Sequence, residues 1–141
     1  MSKKYLRCSI CGKVVEVIND SSVETICCGL PMEEIYPQTE EGAIGEKHVP
    51  VYKTQDKKVE VQIGSTLHPS TTEHFIEWIT LETNKGCHTK VLKPGDTPKA
   101  TFCLEDGESV KAVYAFCNIH DLWKTCKKDF SKNRCNTKYS K

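Results

Sequence analysis

Val59-Glu60-Val61-Gln62-Ile63 alternates apolar with charged or polar side chains along the chain. Neighbouring side chains of an extended strand point to opposite faces, so this stretch predicts a strand with one face in a core and the other in water. The pattern recurs outward from it. Ala100/Phe102/Leu104 and Val110/Ala112/Tyr114/Phe116 alternate in the same way, with polar or small residues between. Asn84-Lys85-Gly86, Lys93-Pro94-Gly95-Asp96 and Asp106-Gly107 read as the turns that separate them. No long segment carries a helical period. Regularly spaced short strands predict a mainly β chain whose larger part is an antiparallel sandwich, immunoglobulin-like in architecture, with a topology that spacing alone does not fix.

The chain has 141 residues and a formal net charge of +1. That length allows one ordinary core with a small satellite unit. The near-balance of charge gives no global signal for nucleic acid. Residues 124–141 are locally basic, with seven Lys or Arg against one acid, which reads as a solvated tail. No stretch approaches the apolar length needed to cross a bilayer, and no apolar run follows the basic start of the chain, so no membrane association and a cytoplasmic setting are expected. Nine cysteines would suit a secreted disulfide scaffold by number. The count is odd, however, and four cluster at metal-ligand spacing, which favours metal binding in a reducing compartment.

Cys8-Ser9-Ile10-Cys11 is followed by Cys27-Cys28-Gly29-Leu30-Pro31. Four thiolates are what a tetrahedral zinc or iron centre takes. Adjacent cysteines on a strand diverge, so Cys27 and Cys28 can meet one ion only from a turn, which Gly29 and Pro31 are expected to supply. The surrounding segment is too poor in apolar residues to fold unaided, and a metal staple is expected. A second constellation is dispersed: Glu46-Lys47-His48-Val49-Pro50, His68-Pro69, Glu73-His74 with Trp78, and Cys117-Asn118-Ile119-His120-Asp121-Leu122-Trp123-Lys124. Cys117 closes the strongest alternating strand and His120 lies in the following turn, so both could face one point at the sandwich edge. Neutral imidazoles with one thiolate suit iron or copper.

Over residues 4–36 the chain resembles desulforedoxin, a small dimeric fold that binds one iron through Cys-x2-Cys and Cys-Cys. Over residues 46–124 it resembles the superoxide reductases desulfoferrodoxin and neelaredoxin, whose motifs all occur here in order. The resemblance implies a rubredoxin-like iron held by Cys8, Cys11, Cys27 and Cys28. It further implies a catalytic iron with His48, His68, His74 and His120 equatorial, Cys117 axial and one position open. The implied reaction is one-electron reduction of superoxide to hydrogen peroxide. In it Lys47 attracts the anion, Glu46 binds the oxidised metal after product leaves, and rubredoxin or another small carrier returns the electron. A homodimer is implied by the pairing of the small unit. His88 matches no ligand of that family, and Asp121 stands where the family usually has Gly. Cys87, Cys103, Cys126 and Cys135 are given no role by the resemblance.

Two other functions compete. A cupredoxin-like electron carrier could use Cys117 and His120, but the methionines are Met1 and Met32, neither near that loop, and the histidines are too many. A purely structural zinc module would leave the downstream histidines unexplained. The expected organisation is a metal unit over residues 1–37, a linker over 38–45, the sandwich over 46–125 and the basic tail over 126–141.

Overall fold

The computed structural model describes residues 3–39 and 45–126, leaving aside the side chains of Glu46 and Cys126. Most of the expected linker and nearly all of the basic tail lie outside the described residues. The chain divides into two compact units, the first ending at Tyr36 and the second beginning at Pro37.

In the first unit, β1 (Lys4–Arg7) lies between β2 (Val14–Val17) and, in the same antiparallel sheet, the C-terminal strand of the unit, Glu33–Ile35. The connection holds a small hairpin, β3 (Ile26–Cys27) and β4 (Leu30–Pro31), after which Glu33–Ile35 is β5. The hairpin turns at Cys28 and Gly29, whose φ angles of 52° and 78° place both in the left-handed region. That is the signature of a two-residue type I′ turn. Pro31, expected in the turn, instead pairs with Ile26 inside β4. Tyr5, Leu6 and Cys8 are the buried apolar side chains of this unit among the described residues. So small a core cannot offset ordering costs of about 1–2 kcal/mol per residue.

The second unit is mainly β, opened by a single helical turn, α1 (Gly45–His48). Its strands are β6 (Pro50–Gln55), β7 (Lys58–Ile63), β8 (Ile76–Thr83), β9 (Cys87–Val91), β10 (Lys99–Cys103), β11 (Val110–Cys117) and β12 (Asp121–Cys126). They form two antiparallel sheets in the orders β10-β7-β6 and β12-β11-β8-β9, the three-plus-four division of immunoglobulin-like sandwiches. Val59, Val61 and Ile63 of β7 point into the core with Ile76, Ile79 and Leu81 of β8, while Lys58 and Glu60 face water. Gln38, expected in the linker, forms a parallel bridge with Trp123 beside β12.

β11 departs from its sequence pattern. Alternation from Val110 predicts Ala112, Tyr114 and Phe116 on the core face, yet the core receives Val110, Val113, Ala115 and Cys117. The pairing of β11 with β8 shifts register between Val110 and Ala112, a bulge that changes which residues face inward. Tyr114 and Phe116 are buried on the opposite face. There the Tyr114 hydroxyl donates to Glu82 at 3.2 Å, the Lys124 ammonium lies 5.3 Å from the Tyr114 ring centre, and Phe116 stacks on Trp78.

His88 serves this framework. Its Nε2 lies 3.1 Å from Glu108 Oε2, which also accepts from the Thr83 hydroxyl, while Glu108 Oε1 accepts from the Glu105 N–H at 2.8 Å. The Thr83 hydroxyl foremost, then the Glu105 N–H and His88, hold the Glu108 carboxyl down at about 2. The histidine thus ties β9 to β8 and to the turn before β11.

Candidate metal centres

In the first unit the Sγ atoms of Cys8, Cys11, Cys27 and Cys28 lie within 4.8 Å of one another. Local backbone geometry builds half of this cluster directly. The chain folds back after Cys8, with Gly12 N–H donating to the Cys8 carbonyl at 3.0 Å. That curl aims the N–H groups of Ile10 and Cys11 at Cys8 Sγ, each at 3.4 Å. The type I′ turn carries the other half, letting adjacent cysteines converge instead of diverging. Cys11 and Cys27 Sγ are 3.8 Å apart, close to the edge of a tetrahedron with metal–sulfur bonds of about 2.3 Å.

The electrostatics of the four thiols fit a bound cation. The Cys11 N–H foremost, with that of Ile10, pulls Cys8 down to about 6. Contact with Cys8 and then Cys11 pushes Cys27 up to about 12 and raises Cys28 as well. Clustered thiolates oppose one another's ionisation, and a cation at their centre removes that opposition.

In the second unit, donor atoms of His48, His74, Cys117 and His120 likewise fall within 4.8 Å of one another. They arrive from three places in the fold: the end of α1, the loop before β8, and the β11–β12 turn. His68 adjoins this set without meeting its mutual spacing. Its Nε2 is 3.1 Å from that of His48, and its ring centre is 4.6 Å from those of both His48 and His74. The Pro69 carbonyl, 2.7 Å from His68 Nδ1, can only accept, so Nδ1 carries the proton and Nε2 turns a lone pair toward His48. Such a spacing suits two imidazoles sharing one ion at metal–nitrogen bonds of about 2.1 Å.

Two further observations fit a metal here. His74 Nε2 is buried with no hydrogen-bond partner, which a native structure rarely leaves unexplained. Burial, partly countered by the bond to the Pro69 carbonyl, holds His68 down at about 4, and burial foremost lowers His74 too, with the His120 and Lys47 charges adding to it. Both imidazoles are therefore neutral at neutral pH, the ligating form. Cys117 is fully buried; burial raises its thiol, while the N–H groups of His120 and Ile119 act in the opposite direction. A metal ion reverses that rise by binding the thiolate.

Side chains absent from the sequence-based ligand set hold these donors in place. Asn118 spans two of the loops: its Oδ1 accepts from Phe75 N–H at 3.0 Å and its Nδ2 donates to the Glu73 carbonyl at 2.9 Å, bracketing His74 beside Cys117. The His120 carbonyl accepts from Gln38 Nε2 at 2.7 Å and from Trp123 Nε1 at 3.0 Å, and the Trp123 ring stacks on His48. Their sequence signal was limited to membership of a motif for Asn118 and Trp123, and Gln38 had none. Lys47 is exposed in α1 one residue before His48, and Glu46 precedes it in the same turn. Asp121 closes the β11–β12 turn with φ of 70°, the left-handed conformation that glycine would adopt without strain.

Family models match both units: the model described as desulfoferrodoxin covers residues 40–126, and the one described as desulfoferrodoxin, N-terminal domain, covers residues 2–35. The chain belongs to the desulfoferrodoxin family. A desulfoferrodoxin homolog of Archaeoglobus fulgidus is 43% identical over 121 residues, spanning 84% of this chain and 93% of its own length. The desulfoferrodoxin of Nitratidesulfovibrio vulgaris is 41% identical over 118 residues, spanning 84% and 91%. Among solved structures, the superoxide reductase from Treponema pallidum superposes with a TM-score of 0.74 at 27% identity, covering 88% of this chain and 97% of its own. Desulfoferrodoxins bind iron, and the two donor clusters divide as a four-cysteine set and a histidine–cysteine set.

Proposed function

We propose that this desulfoferrodoxin is a superoxide reductase, with iron held by Cys8, Cys11, Cys27 and Cys28 in one unit and by His48, His68, His74, His120 and Cys117 in the other. The convergence of three histidines and a buried cysteine, with a fourth histidine adjoining, carries this reading. Ferrous iron at the second cluster supplies, when bound, the single electron that with two protons turns superoxide into hydrogen peroxide. The protein's share is to bring the anion in and keep the His68 and His74 imidazoles neutral. Lys47 is the cation for the first task. It is exposed, and its charge reaches His74. An ammonium beside a site for an anionic substrate raises the local substrate concentration. Glu46, in the same turn, is the carboxylate assigned to the oxidised resting state. An external one-electron donor, rubredoxin or a comparable small carrier, completes the cycle.

A pulse of superoxide applied to the chemically reduced protein tests the reading. One peroxide per superoxide is expected, whereas dismutation would give half that yield and release dioxygen. Lys47→Ala should keep its iron and capture superoxide about tenfold more slowly, with a shallower dependence on ionic strength than the parent. Equal rates and equal salt slopes would remove Lys47 from the capture step.

The first unit supports a homodimer. Ile10, Ile18, Val23, Ile26 and Leu30 are exposed on a unit of this size, Ile18 at 87% and Val23 at 78%. Apolar density of this kind marks an association surface, and a second copy is the proposed occupant. Sedimentation across a range of concentrations should return twice the chain mass, and a concentration-independent monomer would refute the pairing. A cytoplasmic setting is supported by the cysteines: among the described residues Cys8, Cys11, Cys27, Cys28, Cys87, Cys103 and Cys117 are bridged by no disulfide, and five of them are the proposed iron ligands. No helix among the described residues is long and apolar enough to cross a membrane. Recovery of the protein outside the cytoplasmic fraction would contradict that placement.

A further inference from the structure

Gly64 follows the last residue of β7, with φ of +85°. It is wedged between two segments that each carry a histidine of the second cluster. On one side is the backbone of α1: a Cβ on Gly64 would stand 2.7 Å from the Lys47 carbonyl oxygen and 2.8 Å from its carbon. On the other is the loop leading to His68, where the Thr66 carbonyl oxygen would be closer still. All of these are backbone atoms, which cannot swing aside as the tip of a flexible side chain can. Hydrogen bonds lock the glycine in this seat. Its N–H donates to the Val49 carbonyl at 3.2 Å and its own carbonyl accepts from Gln62 Nε2 at 2.9 Å, while the His68 N–H returns to the Ile63 carbonyl at 3.1 Å.

We propose that Gly64 is a positioning residue for the histidine–cysteine centre: its missing side chain lets α1 and the 64–68 loop close together, which sets the 3.1 Å spacing of the His48 and His68 imidazoles and the placement of Lys47. The proposal rests on the reading of those two histidines as ligands. A methyl group here must part the two segments, and the imidazoles are only a few bonds from the atoms that would move. His48 is the residue after Lys47, and His68 is held to Ile63, the residue before Gly64. Positive φ alone does not distinguish this glycine. Gly95 has φ of +95° and nothing within 4 Å of its would-be Cβ, so it supplies a control with the backbone strain and without the contact.

The test compares Gly64→Ala, Gly64→Asn and Gly95→Ala as iron-loaded full-length proteins. Asn tolerates the left-handed conformation and retains the Cβ, so it isolates the steric contact from the strain. Iron retention against a chelator is followed separately for the two centres by their optical bands, with the four-cysteine centre as internal reference. Both Gly64 variants are expected to hold iron at the histidine–cysteine centre about ten- to a hundredfold more weakly than the parent, with its thiolate band shifted. The four-cysteine centre should be unchanged, and Gly95→Ala should match the parent at both. Parent-like retention and an unshifted band in Gly64→Asn would overturn the proposal. So would loss of amide protection across the sandwich strands in both metal-free Gly64 variants where the metal-free parent keeps it, since the glycine would then belong to the sandwich and not to the site. A parent that binds no iron at the histidine–cysteine cluster would defeat the ligand reading instead.

Discussion

Cys117→Ser should eliminate peroxide formation, lowering it by about a hundredfold or more, while the spectrum of the four-cysteine centre stays as it was. The substitution is nearly isosteric and the residue is fully buried at the end of β11, so the sandwich should survive it. The ligand chemistry does not survive. A serine hydroxyl remains protonated at neutral pH, whereas a thiol is readily ionised by a metal, and only the thiolate is soft and electron-donating. His120→Ala should act in the same direction by removing a donor from the same turn, and the Gln38 and Trp123 bonds to its carbonyl would remain possible. The measurement is superoxide decay with peroxide yield, beside the visible spectrum of each variant. Loss of both metal signals together would contradict two independent centres, and undiminished activity would remove Cys117 from the ligand set.

The second large effect is structural. Cys28→Ser should cost the first unit its metal and with it its fold. Structural metal sites of this kind contribute on the order of 10 kcal/mol of binding free energy, and Tyr5, Leu6 and Cys8 cannot replace it. Amide exchange should therefore rise to unprotected rates across β1, β2 and β5, while the strands of the sandwich remain protected. Peroxide formation should persist at near-parent level when a chemical reductant loads the second centre, because none of its donors comes from residues 1–36. A fully inactive variant that still holds iron at the histidine–cysteine cluster would make the first centre indispensable to the chemistry. Retained protection in β1 and β5 would show a unit that folds without its staple.

The parts of this molecule that were legible in the sequence are those encoded by local repetition or by short motifs. β7 was visible because its period of two runs unbroken from Val59 to Ile63. The four-cysteine set was visible because its spacing is unusual, and the histidines because each sits in a recognisable run. The remainder depends on partners far along the chain. Gln38 reaches the carbonyl of His120, Asn118 reaches back to Glu73 and Phe75, and His88 meets Glu108. Nothing near those residues announces the partner. Pro31 is a strong local turn signal and draws the expected turn a residue or two late, whereas the chain turns at Cys28 and Gly29 and Pro31 occupies a short strand that tolerates its missing N–H. The inward face of β11 departs from its alternation for a different reason. Alternation is blind to an inserted residue, and the register shift between Val110 and Ala112 is set by pairing with β8.

That irregularity makes β11 a counting device. Its thiol lies several residues downstream, beyond a second shift against β8 between Phe116 and Cys117, and it reaches the core because Val113, Ala115 and Cys117 keep step on the inward face after the first irregularity. Length changes are usually forgiven in the loops of a sandwich, whereas a one-residue change inside a strand moves the following side chains to the other face. Here a single codon gained or lost between the irregularity and Cys117 would leave the amino-acid alphabet of the strand almost intact while inverting the thiol's address. The site is therefore constrained in reading length as well as in residue identity, since all of β11 but Lys111 is buried.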